Sequence, residues 1–344
     1  MNTNDRFGLI KRNTAEIVTE AELRNLLTRK KSPSAYIGFA STGRAHIGYF
    51  IPLLKAADFI RAGFGFTVLL ADVHAHLDNQ KSPWELLDQR FEYYRLALLS
   101  VFDVLGVDTK KLRIVRGSDI QLKGKYMMDL LKLSAITTLN RSRRAAQEVV
   151  KFGDDPKLSG FVYPLMQALD EQYLDADVQL GGLDQRKILV FAREALPKLG
   201  YGPRVGVMTP MLPGLTGGKM SSSDEKSKID LLDSENDVAK KINSAVCPAG
   251  ICEGNGVLMF LKHFLMIYND GLKKPFIVER EKKFGGDVEY NAYPALERDY
   301  VAKNLHPADL KKAVAEELNA LLAPIRKKFE SRKDLLKKAY PKSL

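Results

Sequence analysis

Residues 35–49 read Ala35-Tyr36-Ile37-Gly38-Phe39-Ala40-Ser41-Thr42-Gly43-Arg44-Ala45-His46-Ile47-Gly48-Tyr49, and the order of their chemistry sets the fold. A short apolar run leads into a small polar turn, and the stretch from Ile47 to Ala62 then reads as a helix. A second buried strand, Phe66-Thr67-Val68-Leu69-Leu70-Ala71, ends at Asp72. Weaker strands are expected at Leu112–Val115, Val178–Leu180 and Val205–Met208, with helical patterns between them at Trp84–Leu105, Tyr126–Val150 and Asp184–Leu199. Upstream, Thr19-Glu20-Ala21-Glu22 has the spacing that satisfies two free amides at a helix start. Strands alternating with helices build a parallel sheet, and such sheets take ligands at the carboxyl ends of their strands. The expected fold is α/β, a Rossmann-like doubly wound parallel sheet. Ser41-Thr42-Gly43, Asp72 and Gly181-Gly182 should then surround one crevice.

The character changes after about Asp230. Strand signals fade, and Leu310, Val314, Leu318, Leu321, Leu322, Ile325 and Phe329 fall at helical spacing. Residues 1–232 are read as the sheet domain and 233–344 as a separate, mainly helical one. A chain of 344 residues has room for both. Its longest stretch without a charge, Val205–Gly218, is 14 residues and is broken by Pro210 and Pro213, so no membrane span is expected. The first twenty residues lack the apolar stretch of a signal peptide, and two cysteines make no disulfide framework. A reducing, cytoplasmic setting is expected. Net charge is +11, and Pro324–Leu344 holds eight Lys/Arg against two acidic residues, which suits a polyanionic partner as well as a solvated surface.

Two segments carry phosphate chemistry. In the first, Gly43 permits a tight turn, the helix start offers free amides and a positive dipole end, and His46 stands beside them. In the second, Gly217-Gly218-Lys219-Met220-Ser221-Ser222-Ser223, amides and hydroxyls can cradle phosphate while the lysine neutralises it. It lacks the spacing of a P-loop, and each segment alone is equally readable as a turn or a polar linker.

Together the two segments resemble the HIGH and KMSKS motifs with which class I aminoacyl-tRNA synthetases hold ATP. Tyr163-Pro164-Leu165-Met166-Gln167-Ala168-Leu169-Asp170 and Gly181-Gly182-Leu183-Asp184-Gln185-Arg186-Lys187 resemble substrate segments of tyrosyl-tRNA synthetases, and Leu69–Asp78 with Lys283–Gly286 fits the eukaryotic cytoplasmic and archaeal branch. The resemblance covers about residues 7 to 341. It implies that Tyr36 and Asp170 bond the phenol oxygen of tyrosine, while Tyr163, Gln167 and Gln185 hold its ammonium group. Thr42, Gly43, His46, Gly48, Gly182, Asp184, Lys219, Met220, Ser221, Ser222 and Ser223 would hold ATP, with His46 and Lys219 as the catalytic pair. Gly38, Ala71, Asp72 and His74 would wall the pocket. Phe284 and Asp309 would meet the anticodon. The resemblance also implies tRNA(Tyr) as partner, Mg²⁺ carried by ATP and no metal held by the protein. A homodimer is implied too, with a region inserted at about 105–175 at the subunit interface and acceptor stem.

Two positions depart from the bare motifs: Tyr49 replaces the second histidine of HIGH, and Ser222 the second lysine of KMSKS. Both resemble variants of the eukaryotic tyrosyl branch. His74-x-His76 lacks further metal ligands, Cys247 and Cys252 lack a second pair, and Arg141–Arg144 reads as a solvated face that in this family lies near the acceptor stem. The alternatives are a tryptophanyl-tRNA synthetase, a non-catalytic RNA-binding protein on the same fold, and a HIGH-type nucleotidyltransferase. The intact phosphate motifs argue against the second, and the length argues against the third.

Overall fold

The computed structural model describes residues 1–217 and 227–341. Six strands form the main sheet: β1 (Glu16–Val18), β2 (Ser34–Phe39), β3 (Gly65–Leu70), β4 (Leu112–Arg116), β5 (Val178–Gly182) and β6 (Val205–Thr209). Their order across the sheet is β1-β6-β5-β2-β3-β4. β2 runs parallel to both β3 and β5, and the pairs β3–β4 and β5–β6 are also parallel. β1 pairs antiparallel with β6, Ile17 opposite Val207. From β2 the chain winds outward to β4, then returns to β5 on the other side of β2. That reversal opens a crevice at the carboxyl ends of β2 and β5.

Alternate strand residues feed opposite layers. Ile37, Phe39, Val68 and Leu70 join the large cluster that includes the Phe50–Arg61 and Leu87–Val104 helices, whereas Tyr36 and Leu69 pack with Leu174 and Ala176. The period of two in a strand requires this division, and burial on both faces explains the unbroken apolar runs read from the sequence. The Leu158–Tyr173 and Arg186–Ala195 helices share a second cluster through Leu165, Leu169, Phe191 and Ala192.

Three features differ from expectation or were not foreseen. The helix expected over Tyr126–Val150 is two, Gly124–Ala135 and Leu139–Ala146. The break falls at Ile136-Thr137-Thr138, where Thr138 caps the second helix by accepting from the Arg141 amide at 3.3 Å. A threonine offering its hydroxyl to the backbone competes with helix continuation. β1 and the antiparallel hairpin of β7 (Phe276–Val278) and β8 (Val288–Tyr290) went unread, because three residues are too few to show a period. The capping box beside β1 is as expected: the Thr19 hydroxyl accepts from the Glu22 amide, and the Glu22 carboxylate accepts from the Thr19 amide.

Beyond residue 233 the described chain is mostly helical. The Pro307–Glu330 helix buries Leu310, Val314, Leu318, Leu321, Leu322, Ile325 and Phe329 on one side. The apolar core crosses residue 233 without interruption, with the Phe50 and Phe264 rings 4.6 Å apart and those of Tyr93 and Phe329 5.6 Å apart.

Candidate active site

The Ser41–Gly43 turn leaves β2 at the reversal point, and the chain then enters a short 3-10 turn, Ile47–Tyr49. His46 caps that turn: its Nδ1 accepts from the Gly48 amide at 3.1 Å, and its ring lies 4.8 Å from that of Tyr49. Burial, reinforced by the charge of Lys228, pushes the His46 pKa down to about 3. His46 is therefore neutral at physiological pH. With Nδ1 accepting, its proton sits on Nε2, which makes the ring a hydrogen-bond donor.

Ile229 and Leu231, which follow the Lys219 segment in the sequence, are stitched to this turn. The Ile47 amide donates to the Ile229 carbonyl at 2.9 Å, and the Leu231 amide to the Ala45 carbonyl at 3.0 Å. On the near side, the Leu215 amide donates to the Ser227 carbonyl at 3.0 Å. The described residues on either side of residues 218–226 are thus joined to each other, and those that follow are joined to the turn at His46. Lys219, Met220, Ser221, Ser222 and Ser223 themselves lie outside the described residues.

A cavity of about 290 Å³ opens at the reversal point. Gly38, His46, Gly48, Gln167, Gly182, Asp184 and Gln185 line it, so residues expected to face ATP and residues expected to face an amino group share one space. The Gln167 amide donates to Gln185 Oε1 at 3.0 Å across its wall. Gln179, not foreseen, also lines the cavity, and its buried Oε1 has no hydrogen-bond partner among the described residues. A side chain at Gly182 would come within 2.9 Å of Met211 Sδ and 2.6 Å of Asp184 Oδ1, so the ends of both side chains would have to move to admit one.

Tyr36, His74, Tyr163 and Asp170 lie buried behind this cavity rather than on its surface. The Leu158–Tyr173 helix carries Tyr163, Gln167 and Asp170 at i, i+4 and i+7 on one face. The Tyr36 hydroxyl reaches the Gln167 carbonyl at 3.4 Å, and Tyr163 meets His74 edge-on at 4.6 Å. Asp170 Oδ1 accepts from Gln121 Nε2 and from the Tyr126 hydroxyl, each at 2.9 Å. Gln121 also reaches Oδ2 at 3.1 Å, and His74 Nε2 stands 3.9 Å from it. Burial pushes the Asp170 carboxyl up to about 7 against the pull of these donors, and pushes the His74 pKa down to about 4. Among the described residues, His74 Nε2 and Gln121 Oε1 are buried beside it without hydrogen-bond partners. Unpaired polar atoms around a buried carboxyl mark a place for a polar ligand group.

Gln121 and Tyr126 were missed by sequence reasoning, since neither belongs to a motif. Asp72 is a scaffold in the wall. Its carboxylate accepts from the Val73 and Ser118 amides, the Ser118 hydroxyl and Arg116 Nε, tying the end of β3 to the end of β4. Ala71, beside it, is buried and packs with Tyr36 and Leu69. His74 and His76 are engaged separately, His76 Nδ1 lying 3.0 Å from the Ser82 carbonyl and its ring 4.6 Å from Trp84. Cys247 faces the Tyr300 hydroxyl and the Asn255 amide.

Away from the crevice, Phe284 is 60% exposed, with the Lys283 ammonium 4.9 Å from its ring. Gly285 and Gly286 follow at φ 98° and 72°, a left-handed turn that favours glycine. Asp309 occupies the first turn of the Pro307–Glu330 helix, half-buried. Arg280, from the same hairpin as Phe284, donates to the Asn304 carbonyl at 3.0 Å and so holds the hairpin loop near that helix start. On another face, Arg141, Arg144, Arg186, Lys187 and Lys198 line a groove of about 590 Å³.

The model of the family described as tRNA synthetases class I (W and Y) matches residues 28–323. The chain is 47% identical to the tyrosine--tRNA ligase of Haloarcula marismortui, over 99% of this chain and 98% of that protein. It is 48% identical to the cytoplasmic tyrosine--tRNA ligase of Gallus gallus over 98% of this chain, which spans 63% of that longer protein. Among solved structures, the tyrosyl-tRNA synthetase of Archaeoglobus fulgidus complexed with L-tyrosine superposes with a TM-score of 0.88 at 43% identity, covering 95% of this chain and 99% of that one.

Proposed function

Because the chain belongs to the class I tRNA synthetases of the W and Y group, we propose that it is the tyrosine-specific enzyme, joining tyrosine to tRNA(Tyr) through a tyrosyl-adenylate. The observation that carries this reading is Asp170. It is a buried carboxyl on the helix face that also presents Tyr163 and Gln167, with Oδ1 held by two protein donors and Oδ2 reached by one, which leaves Oδ2 the acceptor with room for a hydroxyl. An indole N–H in place of the phenol would offer a donor in a different position and no acceptor, and Tyr36 supplies a second contact suited to a phenol oxygen.

In the proposed reaction the tyrosine carboxylate attacks the α-phosphate of ATP and pyrophosphate leaves. The amino acid then passes to the terminal ribose of tRNA, releasing AMP. The nucleophile is already ionised, so catalysis consists of positioning and charge stabilisation. Gln167, Gln185 and Tyr163 orient the ammonium group, and Thr42, Gly43, Gly48, Gly182 and Asp184 receive ATP. His46 donates from Nε2 as a neutral group, and Lys219 supplies positive charge to the phosphates. Mg²⁺ enters on the phosphate oxygens.

Residues 233–344 are assigned the anticodon, with Phe284 placed to stack on a base and Asp309 to accept from guanine. The homodimer is supported by an apolar face on the Gly124–Ala135 helix, where Met128 and Leu131 are 54% and 61% exposed. Among the described residues no helix is long and apolar enough to cross a membrane. A cytoplasmic setting is proposed with support from the names of the animal relatives. The deciding experiment is ATP–pyrophosphate exchange with each of the twenty amino acids. Exchange with tyrosine alone is expected. Exchange driven by tryptophan, or by none, overturns the reading.

A further inference from the structure

The Ser41-Thr42-Gly43 turn is gripped from behind by side chains remote in sequence. The Ser82 hydroxyl donates to the Ser41 carbonyl at 2.6 Å, and Arg90 to the Thr42 carbonyl at 2.6 Å. The hydroxyls of Tyr94 and Tyr340 both donate to the Gly43 carbonyl, at 2.5 and 2.7 Å. Tyr340 lies 297 residues from Gly43 and directly follows the Lys333–Ala339 helix. That helix is docked by the same arginine: Arg90 Nε donates to the Ala339 carbonyl at 3.2 Å, and its guanidinium lies 4.7 Å from the Tyr340 ring. Tyr340 also meets Tyr93 edge-on at 5.2 Å, and the Tyr93 hydroxyl accepts from the Ala45 amide. All four of Arg90, Tyr93, Tyr94 and Tyr340 are buried.

A trans peptide holds its C=O and the next N–H on opposite sides. Tying the Thr42 and Gly43 carbonyls to this layer therefore aims the Gly43 and Arg44 amides away from it. Amides oriented together beside a helix start are phosphate ligands. Gly43 has no side chain to restrain its own peptides, so an external anchor supplies the order that would otherwise be lost when ATP binds.

We propose that Tyr340 and Arg90 are positioning residues for ATP: the end of the helical region clamps the backbone of the nucleotide turn, and so governs ATP engagement without touching ATP. The inference rests on the tyrosine-activating reading above.

The test uses the full chain with Tyr340→Phe and Tyr340→Ala. Exchange kinetics are measured with ATP and tyrosine varied separately, and tyrosine affinity is measured by calorimetry without ATP. Tyr340→Phe keeps the ring on Arg90 and loses one hydrogen bond, so kcat/KM for ATP should fall about three- to tenfold, with tyrosine affinity within about twofold of wild type. Tyr340→Ala should fall further in the same parameter. Wild-type kcat/KM for ATP in both variants, or equal losses for ATP and tyrosine, overturns the clamp. Should the alanine variant fail to fold, the phenylalanine variant decides on the same criteria. A wild-type enzyme with no tyrosine-dependent exchange overturns the functional reading, whereas an active wild type with indifferent variants overturns only the clamp.

Discussion

Replacing Asp170 by asparagine preserves shape and changes only the hydrogen-bonding valence behind the cavity. Oδ1 is held by two donors, Gln121 Nε2 and the Tyr126 hydroxyl, so an asparagine oxygen stays on that side and its NH₂ takes the place of Oδ2. An acceptor that Gln121 Nε2 already reaches at 3.1 Å becomes a donor facing that donor. Above the Asp170 pKa of about 7 the wild-type acceptor is ionised, and a hydrogen bond to such a group is worth about 1.5–3 kcal/mol, so at about pH 8 kcat/KM for tyrosine in pyrophosphate exchange should drop roughly 10- to 150-fold. Phenylalanine, lacking the hydroxyl, should be nearly unaffected, and discrimination between the two should narrow by the same factor. Tyrosyl-tRNA synthetases are themselves the established example of a site built to bond the hydroxyl, with discrimination of about 10⁵, which leaves ample room for such a loss. A second effect has the opposite sign. Burial raises the Asp170 pKa from 3.8 to about 7, so the folded chain keeps a proton that the unfolded chain releases between those values. The ligand-free protein should lose stability as pH rises through that window, by at most about 1.4 kcal/mol per pH unit from this group. Asp170→Asn removes that loss. In urea unfolding the variant should therefore gain on wild type at about pH 8 relative to about pH 5. Discrimination within about threefold of wild type, or a stability difference identical at both pH values, refutes the reasoning.

Lys219→Ala should slow adenylate formation by about 10²-fold or more while tyrosine affinity holds, because the charge it meets develops on the phosphates. Equal losses in rapid-quench rate and in affinity would make Lys219 a structural residue. Asp309→Ala should leave pyrophosphate exchange intact and lower charging of transcripts with guanine at the first anticodon position. If changing that guanine to cytosine costs wild type and variant the same factor, the anticodon role fails. Leu131→Glu places a charge on the exposed apolar face of the Gly124–Ala135 helix and should shift light-scattering mass from dimer to monomer. An unaltered dimer counts against that face as the interface.

Legibility followed the length of the signal. β2 and β3 were readable because each is a six-residue strand, largely buried, with an apolar run inside it. β1, β7 and β8 have three residues each and announce nothing. Asp170 was singled out by the resemblance of Tyr163–Asp170 to a substrate segment of tyrosyl-tRNA synthetases, and the structure sets it on one helix face with Tyr163 and Gln167. Gln121 and Tyr126 were not, because they reach Asp170 from two other helices and only packing brings them there. The turn at Thr42 and Gly43 was readable, but the grip on its carbonyls was not. Local sequence states that a glycine permits a turn; it does not state which distant tyrosine will hold it.

The pairing of β1 has a consequence for the order in which the protein can be completed. Glu16-Ile17-Val18 bonds to Gly206–Met208, and Asn13 just before it exchanges hydrogen bonds with His263 at 2.7 Å. On the ribosome this segment thus waits for partners made about 190 and 250 residues later, on the order of ten seconds or more at ordinary synthesis rates. During that interval its backbone groups depend on water, and the β6 side of the sheet is an open edge once formed. The Glu16–Val18 strand acts as the latch on the β6 edge, so a ribosome halted between residues 209 and 263 would display a sheet whose β6 border is only half secured.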